Sequence, residues 1–340
     1  MGSLRGASES QIPGNPEHVA SEAETRLMQE ALARVARSEA LSEDQSSAVF
    51  ELMLKGLMPA ASMGALLGMM QQRALRDGAS VPELLGAARV MRTHVARLDV
   101  PSEVPVLDTC GTGGAPKTFN VSTAAAIVTA AAAGLDGVVK LRVAKHGNRS
   151  RTGRGSAEIL QMLGVQVDAS PAQQRKCLVE AGVCFCFAIH HHPAMKHAMP
   201  ARRALGFPTI FNVLGPLTNP AGASRQLLGV YSPELVEPVA ATLAGLGCES
   251  AMVVHSEDGL DELSITARTN VARVRADGSV TRQVLDARTL GLAPASLEEL
   301  KARDLEHAAE MMRGVLEGRE SAAARMVILN TAAALIVGGV

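Results

Sequence analysis

Residues 104–134 read VPVLDTCGTGGAPKTFNVSTAAAIVTAAAAG. A short apolar run at 105–110 predicts a strand, a glycine-rich turn follows it, and an Ala-rich helix ends at Gly134. The same order recurs at 139–164, where VKLRVA leads through a polar loop into GSAEILQMLG. Strands that alternate with helices predict a mostly parallel sheet flanked by helices. The segment therefore places the chain in the α/β class.

Upstream of this segment the sequence is helical in pattern. In residues 23–99 apolar residues recur at helical spacing between Gly and Pro, which predicts a small all-α domain of about four helices. Residues 1–22 are rich in Gly, Ser, Pro and Glu and predict a flexible N-terminal tail. Residues 100–340 are the predicted large α/β domain, and helices expected at about 190–206 are assigned to the helical domain.

The later part of the chain continues the α/β pattern. Residues 226–231 and 251–256 predict two more strands, and the loop EDGLDEL follows the second. A hairpin with an ADG turn is expected at 267–285. Two helices, at about 295–316 and 319–337, complete the prediction.

Composition and charge disfavour several classes of protein. Of the 340 residues, 47% are hydrophobic and 20% are charged, so the chain can bury a core and is not disordered throughout. The formal net charge of -1 argues against a general binder of nucleic acid or of anionic membranes. Aromatic residues make up 2%, which is too little for a base-stacking surface.

Cysteine usage and the N-terminal sequence bear on location. The chain has 5 cysteines, an odd number that fits reduced thiols. The first 18 residues lack the apolar run of a signal peptide, and no apolar stretch is long enough to cross a membrane. We therefore expect a soluble cytoplasmic protein with no membrane or nucleic-acid partner.

The turn GTGGAPKTF is the first candidate binding loop. Gly111, Gly113 and Gly114 let backbone N–H groups approach a ligand, and the helix that follows presents a positive dipole end that favours phosphate. The polar residues at that helix start can cap it or bind a ligand: Asn120, Ser122 and Thr123. Pro116 stands where a dinucleotide fingerprint needs glycine. A tight turn without a ligand explains an isolated GxGG equally well.

Two further polar loops are expected at the same edge of the sheet. Lys145–Arg149, KHGNR, follows a predicted strand, and ligands of open α/β sheets bind at the carboxyl ends of strands. Asp261 and Glu262 form an adjacent carboxylate pair that suits Mg²⁺, which keeps several waters and binds substrate phosphates. Taken alone, the acidic pair is better explained as a charged turn. Together, the loops favour a phosphate-binding site.

Two other features favour structural explanations. Cys184 and Cys186 near a run of histidines suggest a soft-metal site, but VCFCFAI is typical of a buried strand. Arg202 and Arg203 lie on a predicted helix interrupted by Pro200, where an exposed basic face is the simpler explanation. Arg202 is still a candidate partner for a carboxylate.

Six segments, in this order, resemble the anthranilate phosphoribosyltransferase family: GTGG…TFNVST, KHGNRS, GSAEILQMLG, HPAMKHAMPARRALGFPTIFNVLGPLTNPAG, QLLGVY and VVHSEDGLDEL. The resemblance runs from about Met53 to the end of the chain. It implies a small helical domain that carries the dimer contact, beside a large α/β domain. The implied reaction transfers the phosphoribosyl group of phosphoribosyl pyrophosphate to the amine of anthranilate, in tryptophan biosynthesis.

The resemblance also implies roles for individual residues. Those implied to bind phosphoribosyl pyrophosphate are Gly111, Gly114, Thr118, Asn120, Val121, Ser122, Thr123, Lys145, His146, Gly147, Asn148, Arg149, Ser150, Arg151, Thr152, Gly153 and Ser156. The loop from Lys145 to Gly153 is implied to close over that ligand. The residues implied to bind anthranilate are Gly111, Asn148 and Arg202, and those implied to hold Mg²⁺ are Ser122, Asp261 and Glu262. No residue is implied to act as acid, base or nucleophile.

The sequence departs from the family pattern in three places. Ala115 follows Gly114 where the family usually has Asp, and the segment to Thr118 is one residue shorter. That Asp helps to handle phosphoribosyl pyrophosphate and its metal in the family. Extra residues stand at 135–141, and the chain stops at Val340 in an apolar helix where the family continues with a helical segment.

Two other functions fit parts of the sequence. A pyrimidine nucleoside phosphorylase-like enzyme shares the two-domain plan, but intact KHGNR and GPLTNP favour the transferase. A non-catalytic relative that binds nucleic acid is the second alternative. The net charge of -1 and the Asp261–Glu262 pair argue against it.

Overall fold

The computed structural model describes residues 20–101, 103–116, 118–135, 137, 140–150 and 153–340. In its N-terminal part it has four helices within the described residues: α1 (Glu22–Ala36), α2 (Glu43–Leu54), α3 (Ala60–Asp77) and α4 (Val81–Thr93). Ser21 and Ser42 cap the N-termini of α1 and α2. Each forms a capping box, in which the serine side chain accepts the backbone N–H of the third helical residue and that residue's side chain accepts the serine N–H. The predicted small helical domain is confirmed. Most of the predicted tail, residues 1–19, lies outside the described residues.

The described part of the chain builds one seven-stranded sheet. Its strands are β1 (Val106–Gly111), β2 (Arg142–Gly147), β3 (Val183–Phe187), β4 (Arg225–Gly229), β5 (Ser250–Ser256), β6 (Thr269–Val274) and β7 (Val280–Leu285). The strand order is β3-β2-β1-β4-β5-β6-β7. The pairs β5–β6 and β6–β7 are antiparallel, and the other four pairs are parallel. The strand order changes direction between β1 and β4, and ligands of such sheets bind at that switch point.

Helices cover both faces of this sheet. They are α5 (Val121–Ala132), α6 (Ser156–Met162), α7 (Pro171–Glu180), α8 (Ala188–His191), α9 (Met199–Leu205), α10 (Ile210–Leu214), α11 (Val236–Gly245), α12 (Leu297–Leu300), α13 (Leu305–Leu316) and α14 (Ala322–Gly338). On one face α5 and α14 pack together against the sheet. On the other face, buried residues of α2–α4 share a single apolar cluster with β4, β5 and α11. The small domain therefore has its core in common with one face of the sheet.

Two predicted elements differ from the structure. The strand expected at 139–144 begins at Arg142 and continues through Lys145 and His146, because β3 pairs with β2 as far as Gly147. The single helix expected at 295–316 is divided into α12 and α13, since Asp304 caps α13 by accepting the His307 N–H at 2.7 Å. The hairpin at 267–285 is confirmed. Within the described residues, no helix has the length and apolar character needed to cross a membrane.

Candidate active site

The loops that follow β1, β4 and β5 meet at the switch point of the sheet. The Thr112 N–H donates to the Gly229 carbonyl at 2.9 Å, and the Tyr231 N–H donates to Thr112 Oγ1 at 3.0 Å. A Cβ at Gly229 would lie 1.6 Å from the backbone oxygen of Asp261, and one at Gly111 would lie 2.5 Å from Asp261 Oδ2. Glycine at both strand ends therefore leaves the space that Asp261 occupies. Sequence reasoning did not single out Gly229, because its role depends on a loop 32 residues further along the chain.

The acidic pair lies beside the start of α5. Asp261 and Glu262 are half-buried, and Glu262 Oε1 accepts the Ser122 N–H at 3.1 Å. Burial, together with the neighbouring Asp261 charge, raises the pKa of Glu262 to about 8. Burial also raises the pKa of Asp261. Two desolvated carboxylates and a serine hydroxyl are a donor set that fits Mg²⁺, so the sequence-predicted metal residues lie together.

A further acidic residue, Asp258, shapes the loop that carries this pair. Its Oδ2 accepts from Ser264 Oγ at 2.6 Å and from Thr266 Oγ1, and its Oδ1 accepts the Leu260 N–H at 3.2 Å. The loop is thereby folded back on itself ahead of Asp261. Asp258 is not among the sequence-predicted site residues, although an aspartate before glycine is typical of such a turn.

The glycine-rich loop and the start of α5 differ in what they can offer a ligand. Gly113 and Gly114 adopt positive φ values of 66° and 98°, which glycine tolerates and other residues disfavour. The side chains of Val121 and Thr123 are buried, so these two residues can offer only backbone groups. The Asn120 side chain donates to the Arg154 carbonyl at 3.3 Å. The loop therefore exposes backbone, whereas the helix start is largely enclosed.

The end of β2 places a lysine and a histidine in the interior. Lys145 and His146 are buried, and Lys145 Nζ donates to the His146 carbonyl at 3.2 Å. The Lys145 charge acts on Asp261 and Glu262, opposing the rise that burial causes in their pKa values. An ammonium group beside two carboxylates is suited to a ligand that carries both phosphate and a metal ion.

His146 is in contact with His192 from the segment after α8. The two Nε2 atoms are 3.2 Å apart, and the ring centroids are 5.1 Å apart. Burial lowers the pKa of His146 well below its usual value and lowers the pKa of His192 to about 4. Both rings are therefore neutral near pH 7, and the contact is a hydrogen bond between uncharged imidazoles.

The loop after β2 folds over the start of α6. Ser156 Oγ donates to the Asn148 carbonyl at 3.3 Å, while Glu158 accepts the N–H groups of Ser150 and Gly155 at 3.3 and 3.0 Å. The Asn148 and Arg149 side chains are exposed, and the Arg149 guanidinium lies 5.6 Å from the centre of the Phe187 ring.

The remaining residues implied to bind phosphoribosyl pyrophosphate lie in the same two loops. Gly147 has no room for a Cβ, which would lie 2.1 Å from Ser156 Oγ, and Gly153 adopts a positive φ of 71°. Thr118 is half-buried, with Oγ1 donating to the Phe119 carbonyl at 3.0 Å. Two of the sequence-predicted site residues, Arg151 and Thr152, lie outside the described residues.

Arg202 on α9 is a half-buried cation without a carboxylate partner among the described residues. Its guanidinium lies 5.3 Å from the centre of the Phe211 ring, and burial lowers its pKa. In the part of the chain that the structure describes, no carboxylate is within ion-pair distance of it. The simpler expectation of an exposed basic face is wrong for Arg202 and holds for its exposed neighbour Arg203. The helix predicted around Pro200 is divided just before it, since a short 3-10 helix ends at His197 and α9 begins at Met199 with Pro200 in its first turn.

The chain matches two domains described for one glycosyl transferase family: its helical bundle domain over residues 29–95 and its a/b domain over residues 103–340. An anthranilate phosphoribosyltransferase of Thioalkalivibrio sulfidiphilus is 46% identical over 92% of this chain and 89% of its own length. The chain belongs to the anthranilate phosphoribosyltransferase family. It is thus a glycosyltransferase, which confirms the resemblance found in the sequence.

Solved structures of anthranilate phosphoribosyltransferases share this fold. The enzyme of Thermus thermophilus is 38% identical, with a TM-score of 0.81 over 91% of this chain and 89% of that one. The enzyme of Saccharomyces cerevisiae in complex with phosphoribosyl pyrophosphate and Mg is 26% identical, with a TM-score of 0.79 over 94% of this chain and 90% of that one. The family match therefore extends over both parts of the fold.

The two cysteines of β3 belong to an apolar cluster in the interior. Cys184 and Cys186 are buried with their sulfur atoms 3.8 Å apart, and all five cysteines are free. Among the described residues, no group of three or more His, Cys, Asp or Glu side chains is arranged to hold a metal ion. The packing explanation predicted for these cysteines agrees with their burial.

Proposed function

We propose that this chain transfers the phosphoribosyl group of phosphoribosyl pyrophosphate to the amine of anthranilate and releases pyrophosphate. The observation that carries the proposal is the grouping of Lys145, Asp261 and Glu262 beside the start of α5 at the switch point. The family relatives are named for this activity, and the reaction is a step of tryptophan biosynthesis.

The chemistry requires stabilisation of the leaving group. The nitrogen lone pair of anthranilate forms a bond to C1 of the ribose, the bond from C1 to the pyrophosphate oxygen breaks, and its electron pair leaves with pyrophosphate. The amine then loses a proton to solvent. Lys145 supplies a positive charge opposite the developing negative charge on pyrophosphate, and the exposed backbone of the Gly113–Gly114 loop supplies N–H donors.

Magnesium is the cofactor that the acidic pair fits. Asp261, Glu262 and Ser122 would hold it, and the bound ion would supply charge neutralisation for the pyrophosphate oxygens. A structure of the yeast relative contains phosphoribosyl pyrophosphate and Mg. Ala115 adds no carboxylate to the shortened loop, so Asp261 and Glu262 are the acidic groups proposed to hold the ion.

Anthranilate is an aromatic carboxylate, and the unpaired Arg202 is suited to bind it. The Arg202 guanidinium carbon lies 5.3 Å from the centre of the Phe211 ring, and a guanidinium group is suited to a two-pronged contact with the substrate carboxylate. Asn148 and Gly111 are proposed to complete the anthranilate site. The loop from Lys145 to Gly153 is proposed to close over phosphoribosyl pyrophosphate.

We also propose the assembly and location implied by the resemblance. Residues 190–206 are assigned to the helical domain, and the packing of α9 against α3 supports that assignment. The helical domain is proposed to pair with its copy in a homodimer. Leu75 on α3, which is 72% exposed, offers apolar surface to such a contact. The free cysteines suit the cytoplasm.

The proposed reaction is tested by mixing the protein with anthranilate, phosphoribosyl pyrophosphate and Mg²⁺. Anthranilate fluorescence is expected to fall only when all components are present, and mass spectrometry is expected to find N-(5-phosphoribosyl)anthranilate. A folded protein that leaves the fluorescence unchanged contradicts the proposal. If the fluorescence falls equally in the presence of EDTA, only the assignment of the Mg²⁺ site is contradicted.

A further inference from the structure

The backbone pairing between β1 and β2 stops earlier than either strand. β1 pairs with β4 over residues 107–111, and β2 pairs with β3 over residues 143–147. Between β1 and β2 themselves, pairing ends where Leu107 meets Val143. The two strands therefore separate toward their carboxyl ends, beside the loops of the candidate active site.

Two side chains bind the backbone groups of β2 that face this gap. Alternate residues of a parallel strand direct their N–H and C=O groups toward the same neighbour, so Ala144 and His146 both face β1. The Ala144 carbonyl accepts from Asn219 Nδ2 at 2.8 Å. The His146 N–H donates to Asp108 Oδ1 at 3.0 Å. These side chains take the place of the missing sheet hydrogen bonds.

Asp108 is placed to control the position of Lys145. The peptide unit of His146 has its N–H on Asp108 and its carbonyl on Lys145 Nζ, at 3.0 and 3.2 Å. Asp108 has no exposed surface, so it cannot itself touch a substrate in this conformation. Burial raises the pKa of Asp108, and the nearby Lys145 charge opposes that rise. A buried carboxyl group is costly, which favours a specific role for it at this strand.

We propose that Asp108 is a positioning residue for phosphoribosyl pyrophosphate, because its carboxyl group spans the gap between β1 and β2 and so fixes the His146 peptide and the Lys145 ammonium group. The inference rests on the proposed function, in which Lys145 faces the pyrophosphate. It requires a hydrogen-bond acceptor of aspartate's length at position 108. For the proposed role, the length of this side chain matters more than its negative charge.

The test compares Asp108→Asn with Asp108→Ala. Asparagine keeps an acceptor of the same length, whereas alanine leaves the His146 N–H without a partner. Binding of phosphoribosyl pyrophosphate with Mg²⁺ is measured by titration calorimetry without anthranilate. We expect Asp108→Ala to weaken that Kd by about 10-fold or more, because small displacements of a binding group have effects of this size, and Asp108→Asn to stay within about 3-fold.

A matched control is Glu83→Gln, which also changes a buried carboxylate that accepts a backbone N–H, from Leu41 at 2.8 Å in the helical domain. It is expected to lower Tm and leave the Kd for phosphoribosyl pyrophosphate unchanged. If Asp108→Ala does not fold, Asn219→Ala is used instead, because it removes the side chain that donates to the Ala144 carbonyl of β2. An increase in Kd of more than about 3-fold is expected for Asn219→Ala.

Several results would overturn the positioning role. Equal weakening by Asp108→Asn and Asp108→Ala would assign the effect to the lost charge. An unchanged Kd in Asp108→Ala, or in Asn219→Ala where that variant replaces it, would leave Asp108 with a role in folding alone. Wild-type protein that turns over anthranilate separates each of these results from failure of the proposed function, in which the wild type is inactive as well.

Discussion

Buried charges are handled in opposite ways in the helical domain and in the candidate active site. In the helical domain Arg73 and Glu83 are both buried and form an ion pair, and Glu83 also accepts the Leu41 N–H. In the candidate active site Glu262 lies beside another carboxylate, Asp261. Burial raises the pKa of both glutamates, but Arg73 opposes the rise for Glu83 whereas Asp261 adds to it for Glu262.

The difference separates charges that serve folding from charges that await a ligand. In a buried ion pair the two opposite charges neutralise each other within the protein. Removing one partner leaves an uncompensated buried charge. Asp261 and Glu262 are adjacent carboxylates, and among the described residues Arg202 has no carboxylate within ion-pair distance, so both places can accept charged groups of a ligand. Substitutions in the first set should change stability, and those in the second set should change substrate or metal binding.

The largest effect is expected from Glu83→Ala. It leaves Arg73 buried without its partner, and removal of one member of a buried pair costs about 3–5 kcal/mol of unfolding free energy. Urea denaturation measures the loss. The exposed Arg26–Glu30 pair of α1 supplies the control, because Arg26→Ala should change stability little. A Glu83→Ala protein of wild-type stability would contradict the assignment of this buried pair to folding.

The double variant Asp261→Asn, Glu262→Gln is expected to have the next largest effect. Removing both carboxylates should lower turnover at limiting Mg²⁺ by about 100-fold, with partial recovery as Mg²⁺ is raised. The initial rate of anthranilate fluorescence loss is measured against Mg²⁺ concentration. Glu257→Gln is the matched control, since Glu257 is exposed and paired with Arg268 in the same loop. An unchanged Mg²⁺ dependence would remove both carboxylates from the site.

Arg202→Ala is expected to act mainly on anthranilate. Loss of the charge-assisted contact with its carboxylate should raise the KM for anthranilate by about 10- to 30-fold and leave the KM for phosphoribosyl pyrophosphate within about 2-fold. Steady-state kinetics with each substrate varied in turn measure the two constants. The exposed neighbour gives the control variant Arg203→Ala. An effect confined to the phosphoribosyl substrate would show that Arg202 is wrongly assigned.

The smallest effect is expected from the neutral histidine pair. Burial holds the pKa of His192 at about 4, below its ordinary value near 6.5. Between these two pH values the unfolded chain therefore binds more protons than the folded chain. The stability due to the neutral ring is present above pH 6.5 and is lost on acidification through pH 4. His192→Asn should therefore flatten the decline of Tm between pH 7 and 4.5. A parallel decline in both proteins would assign it to other groups.

Elements with local signals were predictable from the sequence. The four N-terminal helices, the glycine turn after β1 and the ADG hairpin each follow from spacing, capping or turn residues. The end of β2 was not predictable in this way. Lys145 and His146 are polar and stand before a glycine, but β3 extends the strand through them by pairing across the sheet.

The candidate site was predictable as a set of residue types and much less as a set of contacts. The glycine-rich loop and the Lys145 loop were expected at the same edge of the sheet, because the carboxyl ends of parallel strands meet, and the family resemblance implied the metal role of Asp261 and Glu262. Gly229 and Asp108 gave no signal of their own. The role of each depends on a residue more than 30 positions away, Asp261 in one case and His146 in the other. Sequence spacing carries no information about such long-range contacts.

The core that α2–α4 share with β4, β5 and α11 bears on how the molecule unfolds. Residues such as Leu66 and Leu84 of the helical domain lie in the same apolar cluster as Leu228 and Val253 of the sheet. Melting either part alone would expose that cluster to water, at a cost proportional to the apolar area uncovered. Heating should therefore give one cooperative calorimetric transition for both parts, with the van't Hoff enthalpy equal to the calorimetric enthalpy.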